Sequence, residues 1–533
     1  MAEQIKKPQI NMNQKLELTW IGKGEEDVLE PRILIENTEY SYGDPHTDNI
    51  IIHGDNLLAL KSLVASGYAG KVKCIYIDPP YNTGNAFDKY DDNVEHSIWL
   101  NLMYQRFQLL YALLKEDGFL FVNLDEQEHA YCKVLLDEIF QRKNFIGDLI
   151  WQKRKGGGND STFIALDHDY ILVYAKNASK EIHSKKWVEA QTEEYLKRFK
   201  EIDEQGNRYY WDTVSRNGLQ NPIIVSVNCP DGSVLTINSQ KSQASIEQGL
   251  KDGNIRLTKS KTGWSLHHRV YMGEGKRPRS VITEVGTNKT AADEMLELFG
   301  SKKSFPYPKP ENLIQKIFNL ATSPGDLVLD SFLGSGTTAA VAHKMGRRYI
   351  GIELGNHAYT HCVPRLKMVI DGTDKGGVTS ATSWTSGGGF RFYELAPTLI
   401  KTDNEGMPII NPEYNAEMLA AAMAMHEGFR YAPDPDVFWK QGYSTEHDFI
   451  YTTTQHLTIE TMEYIDSLLG EDETILICCA SHSAGLVNRF PRITVKRIPR
   501  MLLGRCIFDP EKNYNLNIIT LPEVADQDDE DDE

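Results

Sequence analysis

Asp78, Pro79, Pro80 and Tyr81 stand directly behind the apolar run Val72-Lys73-Cys74-Ile75-Tyr76-Ile77. A carboxylate, a backbone carbonyl and an aromatic ring on one proline-stiffened turn suit a particular chemistry. The exocyclic amine of a planar base has its lone pair delocalised into the ring and is a poor nucleophile. Two acceptors, the Asp78 carboxylate and the Pro79 carbonyl, can hold its two N–H bonds and favour the tetrahedral geometry that localises the pair. Tyr81 can stack on the base, a contact worth roughly 1–3 kcal/mol. The group is then a pocket for a base turned out of its stack. The plain alternative is a stiff turn carrying a surface aspartate.

A strand must position these residues. Proline supplies no N–H and fixes its own φ, so the β-branched run is expected to stop abruptly with Asp78 at its carboxyl end. In open α/β sheets that edge is where ligands bind. A second stretch, Gly325-Asp326-Leu327-Val328-Leu329-Asp330-Ser331-Phe332-Leu333-Gly334-Ser335-Gly336-Thr337-Thr338, leads into an alanine-rich run up to Gly346 and then Arg347-Arg348-Tyr349-Ile350-Gly351-Ile352-Glu353. Strand, glycine turn, helix stopped at Gly346 and second strand ending in an acid predict a βαβ half of a nucleotide-binding fold. Gly334 and Gly336 let a ligand approach the backbone. Glu353, about 20 residues past the glycines, is placed to bind ribose hydroxyls. The loop lacks the third glycine of a dinucleotide fingerprint and the Gly-Lys-Ser/Thr of a P-loop, which disfavours dinucleotides and triphosphates.

The pairing of Asp78-Pro79-Pro80-Tyr81 with the later Asp330-x-Phe332-x-Gly334-x-Gly336 resembles the amino-methylating DNA methyltransferases that use S-adenosyl-L-methionine. Catalytic motif first and cofactor motif last is similar to the β class. The acid before the prolines looks like the adenine-N6 version; N4-cytosine enzymes more often carry serine there. The resemblance makes Asp78, Pro79, Pro80 and Tyr81 the catalytic group. It gives the cofactor pocket to Asp330, Phe332, Gly334, Gly336 and Thr337, with Glu353 on the ribose. Phe305-Pro306-Tyr307-Pro308-Lys309-Pro310-Glu311 resembles the segment that closes the methionine end of that pocket, through Lys309. His53-Gly54-Asp55-Asn56 resembles the turn that meets the cofactor's adenine, although Asp55 is equally an ordinary helix cap.

Three further stretches look like signatures of the modification subunits of Type III restriction systems: Asp78 to Gly84, Trp151 to Gly158, and Trp384-Thr385-Ser386-Gly387-Gly388-Gly389-Phe390. The resemblance covers residues 48–395 with strong motifs, and the C-terminal part loosely; the chain is short for such a subunit. It implies site-specific methyl transfer to adenine N6 in duplex DNA by base flipping, in a modification and specificity subunit. Its implied partners are double-stranded DNA, a homodimeric mate and a helicase-nuclease restriction subunit. Two other functions stay open: a stand-alone DNA methyltransferase (N6-adenine or N4-cytosine), and a specificity module that recruits a nuclease-translocase.

With 533 residues the chain can hold two or three domains. The fold expected is α/β: a doubly wound, Rossmann-like methyltransferase domain with an inserted target-recognition domain and a smaller α+β C-terminal domain. The boundaries read as an N-terminal extension over 1–47, the catalytic half over 48–176, the target-recognition domain over 177–300, the cofactor half over 301–395, a partner or dimerisation domain over 396–523 and an acidic disordered tail over 524–533. No apolar run approaches the ~18–20 residues of a membrane span and no signal-peptide pattern is present, so a cytoplasmic protein without membrane contact is expected. The seven cysteines are scattered with no Cys-x-x-Cys, which implies neither a metal site nor a disulfide framework.

The net charge of −18 is unfavourable for binding DNA, but it is unevenly spread. Seven of the last eight residues are acidic, whereas residues 251–289 hold nine Lys/Arg against three acids. Arg269, Lys276, Arg277 and Arg279 from that stretch, with Lys153, Arg154 and Lys155 from the glycine-rich segment, are the candidate DNA contacts. A solvated surface and a plain flexible turn are the simpler alternatives.

Overall fold

The computed structural model of the protein describes residues 18–24, 29–80, 92–156, 163–179, 187–216, 218–487 and 489–502. Tyr81, the glycines at 157 and 158 and the acidic run at the end lie outside these residues. Two units divide the chain: Met1–Ser184 with Ser280–Glu533, and Lys185–Arg279.

The larger unit begins with β1 (Leu34–Glu36), β2 (Tyr42–Gly43), β3 (Ile50–His53), α1 (Asn56–Leu63), β4 (Val72–Ile77), α2 (Asp92–Leu113), β5 (Leu114–Leu124), α3 (Glu126–Leu136), β6 (Phe145–Gln152) and β7 (His168–Ala175). The smaller unit follows, with α4 (Glu193–Leu196), β8 (Glu201–Ile202), β9 (Arg208–Thr213), β10 (Ile223–Asn228), β11 (Val234–Ser239), α5 (Gln243–Lys251), β12 (Ile255–Ser260) and β13 (Gly263–Tyr271). The chain returns through β14 (Val281–Ile282), α6 (Asn288–Phe299), α7 (Glu311–Ala321), β15 (Leu327–Asp330), α8 (Thr337–Lys344), β16 (Arg348–Glu353), α9 (Val363–Ile370), α10 (Thr379–Thr382) and β17 (Gly389–Leu395). It finishes with β18 (Ile400–Thr402), β19 (Pro408–Ile410), α11 (Ala416–His426), β20 (Arg430–Tyr431), β21 (Gly442–Thr445), β22 (Asp448–Leu457), α12 (Ile459–Leu468), β23 (Thr474–His482) and β24 (Ile493–Arg497).

The main sheet runs β1-β17-β3-β16-β15-β4-β5-β7-β6-β14. It is parallel from β17 to β5, which is why these strands read as continuous apolar runs rather than alternating ones. Ile75, Ile77, Leu120, Val122, Leu329 and Ile352 pack with Leu60, Trp99, Met103, Phe107 and Leu135 in one core. The alternate residues Cys74, Tyr76, Phe121, Val328 and Tyr349 are equally buried and point to the opposite face, on the side of α7, α8 and α9. Helices on both faces make the sheet doubly wound, as expected. The β15-α8-β16 connection runs one way along the sheet and β4-α2-β5 the other. The strand order therefore reverses between β15 and β4, and a crevice at their carboxyl ends is the natural ligand site.

Three expected boundaries are corrected. Part of the stretch expected as a separate extension, 1–47, belongs to the main sheet, because β1 and β2 both pair with β17. The expected insert over 177–300 contracts to Lys185–Arg279, since Val281 and Ile282 pair in parallel with Ile150 and Trp151 and α6 buries Ala291 and Met295. Residues 396–502 do not separate from the larger unit: Leu399, Leu419, Met423, Ile450 and Cys478 share a core with Ile33, just before β1.

The smaller unit holds the antiparallel sheet β12-β13-β9-β8 and the hairpin β10-β11, around Val225, Val227, Ile246, Ile255 and Leu266. The cysteines among the described residues are buried. No group of metal-ligating side chains occurs among the described residues, and no described helix is long and apolar enough to cross a membrane.

Candidate active site

Leu329 of β15 is level with Ile75 of β4, so Asp330 stands beside Tyr76 and Asp78 lies two residues further along the same edge. One Asp78 oxygen accepts from Asn123 Nδ2 at 3.2 Å, from the neighbouring strand β5. The other is ion-paired with the Lys309 ammonium. Asn123 Nδ2 also reaches Asp169 Oδ2 at 3.4 Å, and Asp169 Oδ1 accepts from Lys153 Nζ at 2.6 Å. The Pro80 carbonyl accepts from the buried Trp99 indole at 3.0 Å, while none of the described residues donates to the Pro79 carbonyl. The turn is thus held through Asp78 and the Pro80 carbonyl, and the Pro79 carbonyl keeps its acceptor capacity among the described residues.

Two residues expected in other roles have ion-pair partners here. Lys309, expected to close the cofactor pocket, places its ammonium on Asp78. Lys153, expected on DNA, is engaged with the buried Asp169; its neighbours Arg154 and Lys155 are exposed. Asn123 and Trp99 were invisible in the sequence, because each is an ordinary core-strand or core-helix residue until the turn is packed on it.

The glycine loop is braced by two carboxylates. Asp330 Oδ1 accepts from Phe332 N at 2.9 Å and Oδ2 from the Thr338 hydroxyl at 2.6 Å. Burial pushes the Asp330 carboxyl up to about 7, against those two hydrogen bonds, with the charges of Asp78 and Glu353 adding to the rise. Glu353 accepts from Gly334 N at 2.7 Å and Gly355 N at 2.9 Å, and burial raises it also. Gly334 has φ +54°, and a Cβ there would lie 3.0 Å from the Phe305 ring. Gly336, at φ +79°, would bring a Cβ to 3.2 Å from the Cys362 backbone. Neither position admits another residue without strain.

Two more expected contacts turn inward. The Thr337 hydroxyl accepts from Arg365 Nη1 at 2.8 Å. Asp55 caps α1 through Leu58 N at 3.0 Å and pairs with Arg106 at 3.2 Å, which is the helix-cap alternative. Its neighbour Asn56, not singled out from the sequence, donates to the Ser331 carbonyl at 2.7 Å and so supports the loop from below. The hydroxyls of Tyr76, Ser304 and Ser331 are buried with no hydrogen-bond partner among the described residues. Orphan buried hydroxyls on β4 and in the glycine loop fit a polar ligand that supplies their missing partners.

Behind the loop lies a buried ion network. Glu311 takes Arg365 Nη2 at 2.8 Å, Lys344 Nζ at 2.8 Å and Val378 N at 2.9 Å. Lys344 also pairs with Asp374 at 2.6 Å. The Glu294 carboxyl accepts from Glu311 N at 3.2 Å, and burial, with Glu311 adding, pushes it up to about 8. The glycines around Gly388 serve the fold, because two stretches of backbone meet there. The Gly388 carbonyl accepts from Asp44 N at 3.0 Å, and a Cβ on Gly389 would sit 2.3 Å from that nitrogen.

A stability prediction follows from Asp330. Its folded carboxyl titrates above its unfolded value, so between about pH 4 and 7 the folded state binds more protons. Stability then falls as pH rises, by up to about 1.4 kcal/mol per unit from this group. The unfolding free energy of wild type minus that of Asp330→Asn, from urea titrations at pH 5 to 8, is expected to decrease with pH and level off above 7.

In the smaller unit one face of the sheet is basic and aromatic. Cross-strand partners put Arg256 beside His267 and Arg269 beside Trp211. The Arg256 guanidinium lies 4.2 Å from the Trp211 ring centre, and that of Arg269 lies 4.7 Å from Tyr209. Lys276 pairs loosely with Glu189 at 3.7 Å, Arg277 donates to the Trp187 carbonyl at 2.8 Å, and Arg279 is exposed. Tyr209 and Trp211 escaped notice because the contrast of charge alone drew attention to residues 251–289.

Comparison with known proteins adds the family. The "DNA methylase" family model matches residues 72–363. The probable type III restriction-modification enzyme HindVI Mod subunit of Haemophilus influenzae is 33% identical over 68% of this chain and 56% of its own length. The type III restriction-modification enzyme StyLTI Mod subunit of Salmonella typhimurium is 33% identical over 55% of this chain and 49% of its own. The type III EcoPI Mod subunit of Escherichia phage P1 is 31% identical over 61% and 60%. The chain spans about half to three-fifths of the length of these relatives. The matched segment begins at β4 and ends past the glycine loop, taking in both halves of the site, and the chain belongs to the DNA methylase family.

Proposed function

We propose that the protein transfers a methyl group from S-adenosyl-L-methionine to adenine N6 in duplex DNA, as the modification and specificity subunit of a Type III restriction-modification system. The observation that carries this is that β4, which ends just before Asp78, and β15, which ends at Asp330 before the glycine loop, lie side by side at the switch point. Phe332, Gly334, Gly336 and Glu353, with the orphan hydroxyls of Tyr76 and Ser331, would hold the cofactor. When bound, it supplies an electrophilic methyl group on a sulfonium, already a good leaving group. The chain's own contribution is orientation, where aligned attack gains most. Asp78 and the Pro79 carbonyl accept from the target amine and stabilise positive charge as the new bond forms; Tyr81 stacks on the base. The Lys309 and Asn123 contacts fix the Asp78 carboxylate in one orientation, which suits an acceptor.

The basic aromatic face of Arg256, Arg269, Tyr209 and Trp211 supports a role for the smaller unit in reading DNA. The similarity to three Mod subunits supports a helicase-nuclease restriction partner; the homodimer rests on resemblance. Single-molecule sequencing of DNA from a methylation-deficient host expressing this chain is the test. N6-methyladenine at one short non-palindromic motif, on one strand, is expected; N4-methylcytosine or unmodified DNA would refute it.

Lys309→Met is expected to reduce turnover by roughly tenfold to a hundredfold with cofactor affinity little changed, because a half-oriented acceptor loses alignment rather than binding. Tritium transfer and calorimetric titration separate the two quantities.

A further inference from the structure

The loop joining β6 to β7 hangs from the same edge as Asp78, since β6 runs parallel to β4 through two antiparallel steps. Its stem is closed by Lys153 N and Arg154 N, which donate to the Asp167 carbonyl at 2.8 and 3.2 Å. That stem is joined to the catalytic turn through Lys153, Asp169 and Asn123, ending on Asp78. On this loop Phe163 is 94% exposed and Ile164 77%, and Phe163 is the most exposed large apolar side chain among the described residues. Arg154 and Lys155, on the limb of the loop that leaves β6, are exposed.

An aromatic side chain held in water on a loop that also carries exposed cations, with a stem wired to the catalytic carboxylate, is placed to be buried by a polyanion with an apolar interior. Stacked nucleic acid bases have that combination. A base drawn out towards Asp78 leaves a gap in its stack, and apolar side chains are the groups that proteins insert between base steps. We propose, resting on the DNA-methylating activity proposed above, that Phe163, backed by Ile164, is the wedge that enters the duplex and fills the place of the extruded adenine. Arg154 and Lys155 hold the phosphates on either side.

The test compares full-length wild type, Phe163→Ala and Phe163→Leu on two duplexes bearing the motif that the wild-type chain methylates. One duplex is fully paired; in the other the target adenine faces a mismatch and is already unpaired. S-adenosylmethionine binding, unchanged in all three proteins, confirms an intact fold. Phe163→Ala is expected to methylate the paired duplex roughly tenfold to a hundredfold more slowly, to recover most of that loss on the mismatched one, and Phe163→Leu to keep most of the rate. Equal rates for Phe163→Ala and wild type on paired DNA, an equal loss on both duplexes, or a lost self-association in sedimentation with an unchanged rate would overturn the wedge and leave the activity standing. A wild-type chain that methylates no duplex removes both.

Discussion

Asp78→Ala is expected to bind S-adenosylmethionine as the parent does and to transfer almost no methyl group. The expected fall in turnover is at least about 10²–10³, the scale for removing one preorganised polar group that faces developing charge. Cofactor affinity should survive because the loop that would hold it is braced by Asp330, Glu353 and Asn56, none of which bonds to Asp78. Removal of the carboxylate leaves the Lys309 ammonium, 9% exposed, without that partner, so Asp78→Asn, which keeps the shape and one acceptor, serves as the control and should lose less. Calorimetric titration of the cofactor beside tritium transfer to DNA decides it: equal loss of binding and turnover would refute this division between the two halves of the site.

Glu311→Ala should destabilise the fold more than any other of these substitutions. It leaves the fully buried Lys344 with Asp374 as its remaining carboxylate partner, and the fully buried Arg365 with no carboxylate ion pair among the described residues. Breaking a buried ion pair by removing one partner typically costs about 3–5 kcal/mol, because the other charge stays buried. Arg365 is also the donor to the Thr337 hydroxyl and the Ser335 carbonyl, so cofactor affinity should fall with stability. The pH dependence carries a signature. Glu294, pushed up to about 8 by burial and by Glu311, makes wild type lose stability as pH rises from about 4.5 to 8. Loss of the Glu311 charge brings Glu294 back towards its ordinary range, so Glu311→Ala should show a shallower decline. Urea unfolding at pH 5 and pH 8 reads both effects; a variant as stable as wild type would show that the network contributes nothing.

The strand that ends at Asp78, the glycine loop with Gly346 closing its helix, and Glu353 at the end of the next strand were all legible in the residues. Proline and glycine restrict the backbone locally, and parallel strands buried on both faces are continuous apolar runs, so these signals need no knowledge of distant neighbours.

What tertiary structure decided was which side chains meet. Lys309 lies 231 residues from the aspartate it pairs with, and Asn123 reaches Asp78 because β5 lies beside β4. Arg365 and Lys344 look like surface cations on helices, and only the packing of α7, α8 and α9 encloses them with Glu311. Ile33, read as part of an extension, was claimed by a core built mostly from residues after 396. Sequence spacing specifies backbone conformation over a few residues; the pairing of charges across hundreds depends on strand order and helix packing, which no local pattern encodes.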